Sequence, residues 1–123
     1  MIIIKEKDTF DQYLDEMAGL RKSDSGLPVN LWLDNTSAYK LSGHWKRIKF
    51  QGDHGNKLNR NNLFTMTISE NPEIMPKSAE SQINLPVKEI EQVRAFVKNN
   101  HILLSQLADQ EISVFSFFKK MKV

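Results

Sequence analysis

Cysteine is absent from the 123 residues of this chain, which excludes disulfides, thiolate metal sites and cysteine nucleophiles. The absence fits a reducing compartment, and we expect a cytoplasmic protein. Long apolar runs are also lacking, because the three isoleucines after Met1 give way at once to charged residues at positions 5–8. Such a run is too short for a signal-peptide core or a membrane span, so we expect no membrane contact.

Chemical motifs are equally scarce. The five glycines form no phosphate-binding loop, and no serine stands in a nucleophile elbow. Asp53 and His54 are adjacent candidates for binding a divalent ion, but the sequence identifies no third ligand beside them. We interpret that pair as part of a polar turn, and we expect neither a metal nor a cofactor.

The composition is that of one globular domain. Hydrophobic residues make up 40% of the chain and charged residues 26%, which is typical of folded proteins and far from the composition of disordered ones. A chain of this length normally builds a single core. We therefore predict one domain covering residues 1–123.

Hydrophobic spacing predicts a helix followed by three strands. Apolar residues recur every three or four positions in Thr9–Leu20, as along one face of an amphipathic helix. They alternate with polar residues in Val29–Leu33 and Leu63–Ser69, as in half-buried strands. His44–Gln51 is predicted to be the strand between them, and the glycine- and asparagine-rich Gly52–Asn62 an exposed, mobile connection.

Helical spacing returns from residue 87 onward, with an interruption at Asn99–Asn100 and a last short helix capped by Ser113. In that last helix the spacing predicts that Phe115, Phe118 and Met121 face inward. Because consecutive strands usually pair as antiparallel neighbours, we predict an α+β fold. It has an N-terminal helix, a three-stranded antiparallel meander sheet, and two or three C-terminal helices packed on one face.

Positive charge is concentrated in one segment. Residues 38–60 carry six basic and one acidic side chain, whereas residues 1–37 carry four basic and seven acidic, and residues 61–123 carry seven of each. Period two within the predicted strand places Trp45, Arg47 and Lys49 on one face. Cations beside aromatic rings are what a phosphate-contacting surface with stacking groups needs.

These observations support a non-enzymatic module that binds nucleic acid through residues 39–60. We expect Trp45 to stack on bases and the cations to neutralise phosphates. The predicted contact residues are Lys40, Trp45, Lys46, Arg47, Lys49, Lys57 and Arg60. The competing interpretation is a sheet face that is merely solvated by long charged side chains.

Two other functions remain open at this point. His44 and His54 stand near cations, as in a small ribonuclease-like enzyme that works by acid–base chemistry, although one sequence does not bring the two rings together. The aromatic C-terminal helix is the candidate interface for a protein partner or for a homo-oligomer.

Residues 27–50 and 89–113 resemble a family of short uncharacterised bacterial proteins encoded near mobile elements. The resemblance covers about half of the chain. It implies a bacterial, cytosolic protein and assigns no activity and no site residue.

Overall fold

The computed structural model describes residues 17–37 and 39–123, which form a five-stranded antiparallel sheet with helices. Strands adjacent in the chain are adjacent in the sheet, so the topology is a meander with β3 at its centre. The strands are β1 (Ala18–Leu20), β2 (Leu31–Leu33), β3 (Arg47–Gln51), β4 (Leu63–Thr67) and β5 (Ile74–Met75).

Five helices belong to the described part of the chain, and none of them is long and apolar enough to span a membrane. They are α1 (Lys22–Ser25), α2 (Tyr39–Ser42), α3 (Val87–Asn99), α4 (His101–Ala108) and α5 (Val114–Lys120). Short 3-10 turns cover Arg60–Asn62 and Lys77–Gln82. The predicted α+β class is therefore confirmed, and so is the helix interruption before His101.

The core lies on one face of the sheet. Ile48 and Phe50 of the central strand are fully buried, and they pair in register with Leu33 and Leu31 of β2. Helices α3, α4 and α5 supply the opposing side of the same cluster, which includes Val93, Phe96, Leu104, Leu107 and Phe117. These helices therefore pack on the Ile48 face, as predicted for the C-terminal helices.

The predicted N-terminal helix is wrong in its last three residues. Residues 1–16 lie outside the described part of the chain, but Ala18–Leu20 forms strand β1 rather than helix. Leu20 is buried and pairs with Leu31 across the sheet. A three-residue spacing from Met17 to Leu20 fits a helix, but pairing with β2 decides the local structure, since tertiary contacts routinely override local propensity.

The predicted three-stranded sheet has two more strands, one at each edge. Besides β1, the sheet contains β5, a two-residue strand paired with Thr65 and Met66 of β4. It lies between Pro72 and Pro76. Proline is tolerated beside an edge strand because one side of that strand needs no ladder hydrogen bonds.

Helix α5 is rotated relative to the prediction. Phe117, not Phe115 or Phe118, enters the core. Phe115 and Phe118 are exposed, and Met121 is half-buried against the core. Ser113 caps the helix as expected, since its hydroxyl accepts a hydrogen bond from the amide of Ser116 at 3.0 Å.

Asn100 fastens the C-terminal tail to the helix pair. Its buried amide donates to the carbonyls of Phe96 at 2.9 Å and Lys122 at 2.8 Å. Its oxygen accepts from the amide of Lys122 at 2.7 Å. One side chain thus satisfies both backbone groups of Lys122, and this holds the chain after α5 against the start of α4.

We expect Asn100→Ala to lower the free energy of unfolding by about 2–3 kcal/mol, because buried backbone groups lose their partners. Urea denaturation measures this loss. The matched control is Asn99→Ala, which removes an exposed asparagine side chain one position away and should cost much less. Equal stability of wild type and Asn100→Ala would contradict this role.

Candidate nucleic-acid interface

The face of the sheet opposite the core carries polar, cationic and aromatic side chains. Trp32 of β2 pairs with Lys49 of β3, which pairs in turn with Thr65 of β4. Arg47 and Thr67 form the next pair on the same face. We call these five residues the cationic face. All five side chains are half-buried, and none belongs to the core cluster.

Lys49 is the central residue of the cationic face. Its ammonium donates to the hydroxyl of Thr65 at 2.6 Å. Burial, with a smaller repulsion from Arg47, lowers the pKa of Lys49 to about 8. A desolvated ammonium that stands beside another cation gains from any anion that approaches it. The Nε of Arg47 is also buried without an acceptor in the described part of the chain.

A depression lies beside Trp32. It has a volume of about 270 Å³ and extends to Arg21 on one side and Asn56 on the other. Gly19 pairs with Trp32 on strand β1, and a Cβ there would lie 3.8 Å from the indole nitrogen. Because glycine carries no side chain, β1 places none over this flank of the ring. In the described part of the chain the indole therefore adjoins the depression.

The connection after β3, predicted to be exposed and mobile, contains a network of side-chain hydrogen bonds. We call residues 52–62 the Asp53 loop. The Asp53 carboxylate accepts from the side chains of Gln51 at 2.5 Å and Asn62 at 3.1 Å, and from the amide of Gly55 at 2.8 Å. These donors, Gln51 first, lower the pKa of Asp53 to about 2. The carboxylate remains ionised and organises the loop around itself.

Two further contacts fix the Asp53 loop to the sheet. A Cβ on Gly52 would lie 2.5 Å from the ring of Phe64, so only glycine fits there. Asn30, just before β2, donates from its side chain to the carbonyls of Gly55 at 3.2 Å and Asn56 at 3.4 Å. Asn56 lines the Trp32 depression, so the loop and the cationic face are continuous. Lys57 and Arg60 are exposed on this loop.

Lys46 is separated from the other predicted contact residues. It is buried on the core side of the sheet, and its ammonium lies 2.5 Å from the Asp109 carboxylate and 2.6 Å from the Ser105 hydroxyl, both on or next to α4. The hydrogen bond from Lys46 is the main cause that lowers the pKa of Asp109. These contacts join β3 to α4.

Lys40 and Trp45 lie with Lys46 at the start of β3. Tyr39 donates to Asp109, which raises the pKa of Tyr39 to about 12. The ammonium of Lys40 lies 5.9 Å from the Tyr39 ring centroid. The indole nitrogen of Trp45 donates to the carbonyl of Ile68 at 3.0 Å, while its ring remains largely exposed. The structure thus places Lys40, Trp45 and Lys46 before the central strand, Arg47 and Lys49 on it, and Lys57 and Arg60 in the loop after it.

The two candidate catalytic histidines, His44 and His54, lie at opposite ends of β3. His44 precedes the strand, whereas His54 follows it and lies 2.5 Å from a carboxylate oxygen of Glu89. A five-residue strand spans about 13 Å between its first and last residues. The acid–base pair of a ribonuclease needs both imidazoles at one phosphodiester, and the structure does not bring them together.

The most informative residues that the sequence analysis did not select are Trp32 and Thr65. Trp32 lies between Leu31 and Leu33, and successive side chains of a strand point to opposite faces. The sequence alone therefore places Trp32 on the face opposite the two leucines. Its cross-strand position beside Lys49 depends on the register of β2 and β3, which period two alone leaves undetermined.

No group of three or more metal-ligating side chains forms among residues 17–37 and 39–123. Comparison of the chain with protein-family models, with curated proteins and with solved structures finds no match. The resemblance to a family of short bacterial proteins therefore stays a prediction.

Lys46→Met should lower the free energy of unfolding by about 1–3 kcal/mol, because it leaves the Asp109 carboxylate without its cation. Thermal and urea unfolding measure the loss. If Lys46 only joins β3 to α4, the variant binds nucleic acid with an unchanged salt dependence at a temperature where it remains folded. A flatter salt dependence would show that Lys46 contacts phosphate.

Proposed function

We propose that this protein binds single-stranded nucleic acid on the cationic face, with the Asp53 loop continuing the contact surface. The observation that carries the proposal is Trp32, which lines a depression among the described residues and lies in register with Lys49. A base stacked on the indole would place its backbone next to Lys49 and Arg47. Stacking and charge neutralisation together are the usual basis of binding to single strands.

Single-stranded rather than duplex nucleic acid fits this surface. Bases of a single strand can leave their stack and lie flat on an aromatic side chain of a sheet. A duplex is read by an element that enters a groove, usually a helix or a two-stranded ribbon. Trp32 and Lys49 lie within the sheet, on β2 and its central neighbour, and do not project from it.

The proposed contact set differs from the one expected from sequence. It keeps Arg47, Lys49, Lys57 and Arg60, adds Trp32 and Thr65, and replaces Trp45 by Trp32 as the stacking residue. Lys46 is omitted because Asp109 and Ser105 already hold its ammonium, and Lys40 is omitted because it lies on α2, before β3. The proposed activity is binding without strand cleavage, since His44 and His54 are separated by β3.

Arg47→Ala combined with Lys49→Ala should weaken binding of labelled single-stranded RNA or DNA by about tenfold or more at low salt, because two phosphate contacts are lost. Each lost contact on a single strand flattens the slope of log affinity against log salt by about 0.7. Fluorescence anisotropy over a salt series measures both quantities.

The matched control replaces Lys98 and Lys120 by alanine. Both are exposed lysines on helices α3 and α5, which pack on the opposite face of the sheet. Their loss removes the same net charge and should leave the slope unchanged. If the control and the test variant lose the same affinity, binding reflects overall charge and the cationic face is not the site.

Affinity for single-stranded DNA should fall as the pH rises through 8, because Lys49 loses its proton near that pH. Lys49→Arg stays charged and should remove most of this dependence between pH 7 and pH 9. Anisotropy at constant ionic strength measures it. Identical pH profiles for the wild type and Lys49→Arg would exclude Lys49 from the contact.

A further inference from the structure

Helix α5 is fixed in position by its inner side. Phe117 is fully buried in the core, and Val114 and Met121 pack against the same cluster. The chain after the helix is held by the two-way contact between Asn100 and the backbone of Lys122. The outer side of α5 is therefore presented by a rigid element, which reduces the ordering cost of any contact it makes.

Two phenylalanines occupy that outer side. Phe115 is 69% exposed and Phe118 is 39% exposed. They are three positions apart, so they lie next to each other along the helix. Phe118 contacts Phe117 edge to face, with ring centroids 6.0 Å apart. The two rings thus form one apolar strip beside the buried Phe117 rather than two scattered side chains.

A cation lies over this strip. The ammonium of Lys119 lies 4.4 Å from the centroid of the Phe115 ring. Two more lysines, Lys120 and Lys122, follow in the sequence, and no acidic residue follows Glu111. We call Phe115, Phe118 and Lys119 the Phe115 surface.

The positive charge of the Phe115 surface indicates which kind of partner it can bind. A second copy that docked through the same surface would bring the two sets of lysines together, and like charges at an interface cost free energy. A partner that carries carboxylates would pair with the lysines while its apolar side chains covered the rings. Exposed aromatic anchors with a charged rim are the usual centre of such contacts.

We propose that the Phe115 surface is a docking site for an acidic protein segment with interspersed apolar side chains. The site is independent of nucleic-acid binding, because α5 packs on the side of the sheet opposite the cationic face. A carboxylate of the segment pairs with Lys119, and an aliphatic or aromatic side chain of the segment covers Phe115 and Phe118.

The test uses the full chain and a fluorescent synthetic peptide in which glutamate alternates with leucine and phenylalanine. We expect saturable binding that weakens with salt, and no binding of the same peptide with lysine in place of glutamate. Phe115→Ala combined with Phe118→Ala should weaken binding at least tenfold. Phe115→Ala alone should weaken binding with little change of the melting temperature, because its ring is the more exposed of the two. Lys119→Ala should flatten the salt dependence.

The matched control is Val87→Ala combined with Ile102→Ala, which removes two other exposed apolar side chains, 74% and 64% exposed. Equal losses in the control and the test variant would overturn the proposal, as would absence of saturable binding to the acidic peptide. Binding to phosphatidylserine vesicles in place of the peptide would assign the surface to anionic lipid. Self-association that disappears in the Phe115/Phe118 double variant would assign it to a second copy. Either assignment overturns the proposal.

Discussion

The central strand β3 imposes the arrangement of this molecule. Its side chains alternate between Ile48 and Phe50, which are fully buried, and Arg47 and Lys49, which lie on the other face. Burial of each large apolar side chain contributes about 1.5–3 kcal/mol, so the register of β3 with β2 and β4 is strongly fixed. Helices α3 to α5 cover the Ile48 face, so Arg47 and Lys49 lie on the opposite face. A shift of the strand register by one residue would exchange the two faces.

A polar network at the end of β3 connects this strand to the loop that follows it. Gln51 ends the strand and is fully buried, and its side chain binds both Asp53 and the backbone of the following loop. Asn30 connects the same loop to the start of β2 beside Trp32. The position of the Asp53 loop is therefore fixed by contacts with the end of β3 and with the residue just before β2. A loop that is ordered before binding loses less conformational entropy when a ligand arrives, which favours affinity.

Much of the fold could be predicted from local sequence, and the features that could not be predicted share a cause. The alternation in His44–Gln51 correctly separated Arg47 and Lys49 from Ile48, and the helices after residue 87 followed their spacing. The edge strands, the burial of Phe117 and the contacts of Lys46 with Ser105 and Asp109 depend on residues far apart in the chain. The Asp53 loop looked mobile because its composition is polar, yet the same asparagines supply the donors that order it.

The most direct test of the account follows the two indole N–H signals of the chain, which contains two tryptophans, during titration with single-stranded RNA in a two-dimensional ¹⁵N–¹H NMR experiment. Trp32 lines the depression and pairs with Lys49 in the middle of β3, whereas Trp45 precedes β3 and its indole nitrogen donates to the carbonyl of Ile68. We expect the Trp32 signal to shift in a saturable way and by more than the Trp45 signal. A larger shift of the Trp45 signal, or no shift of either signal, would contradict binding on the cationic face.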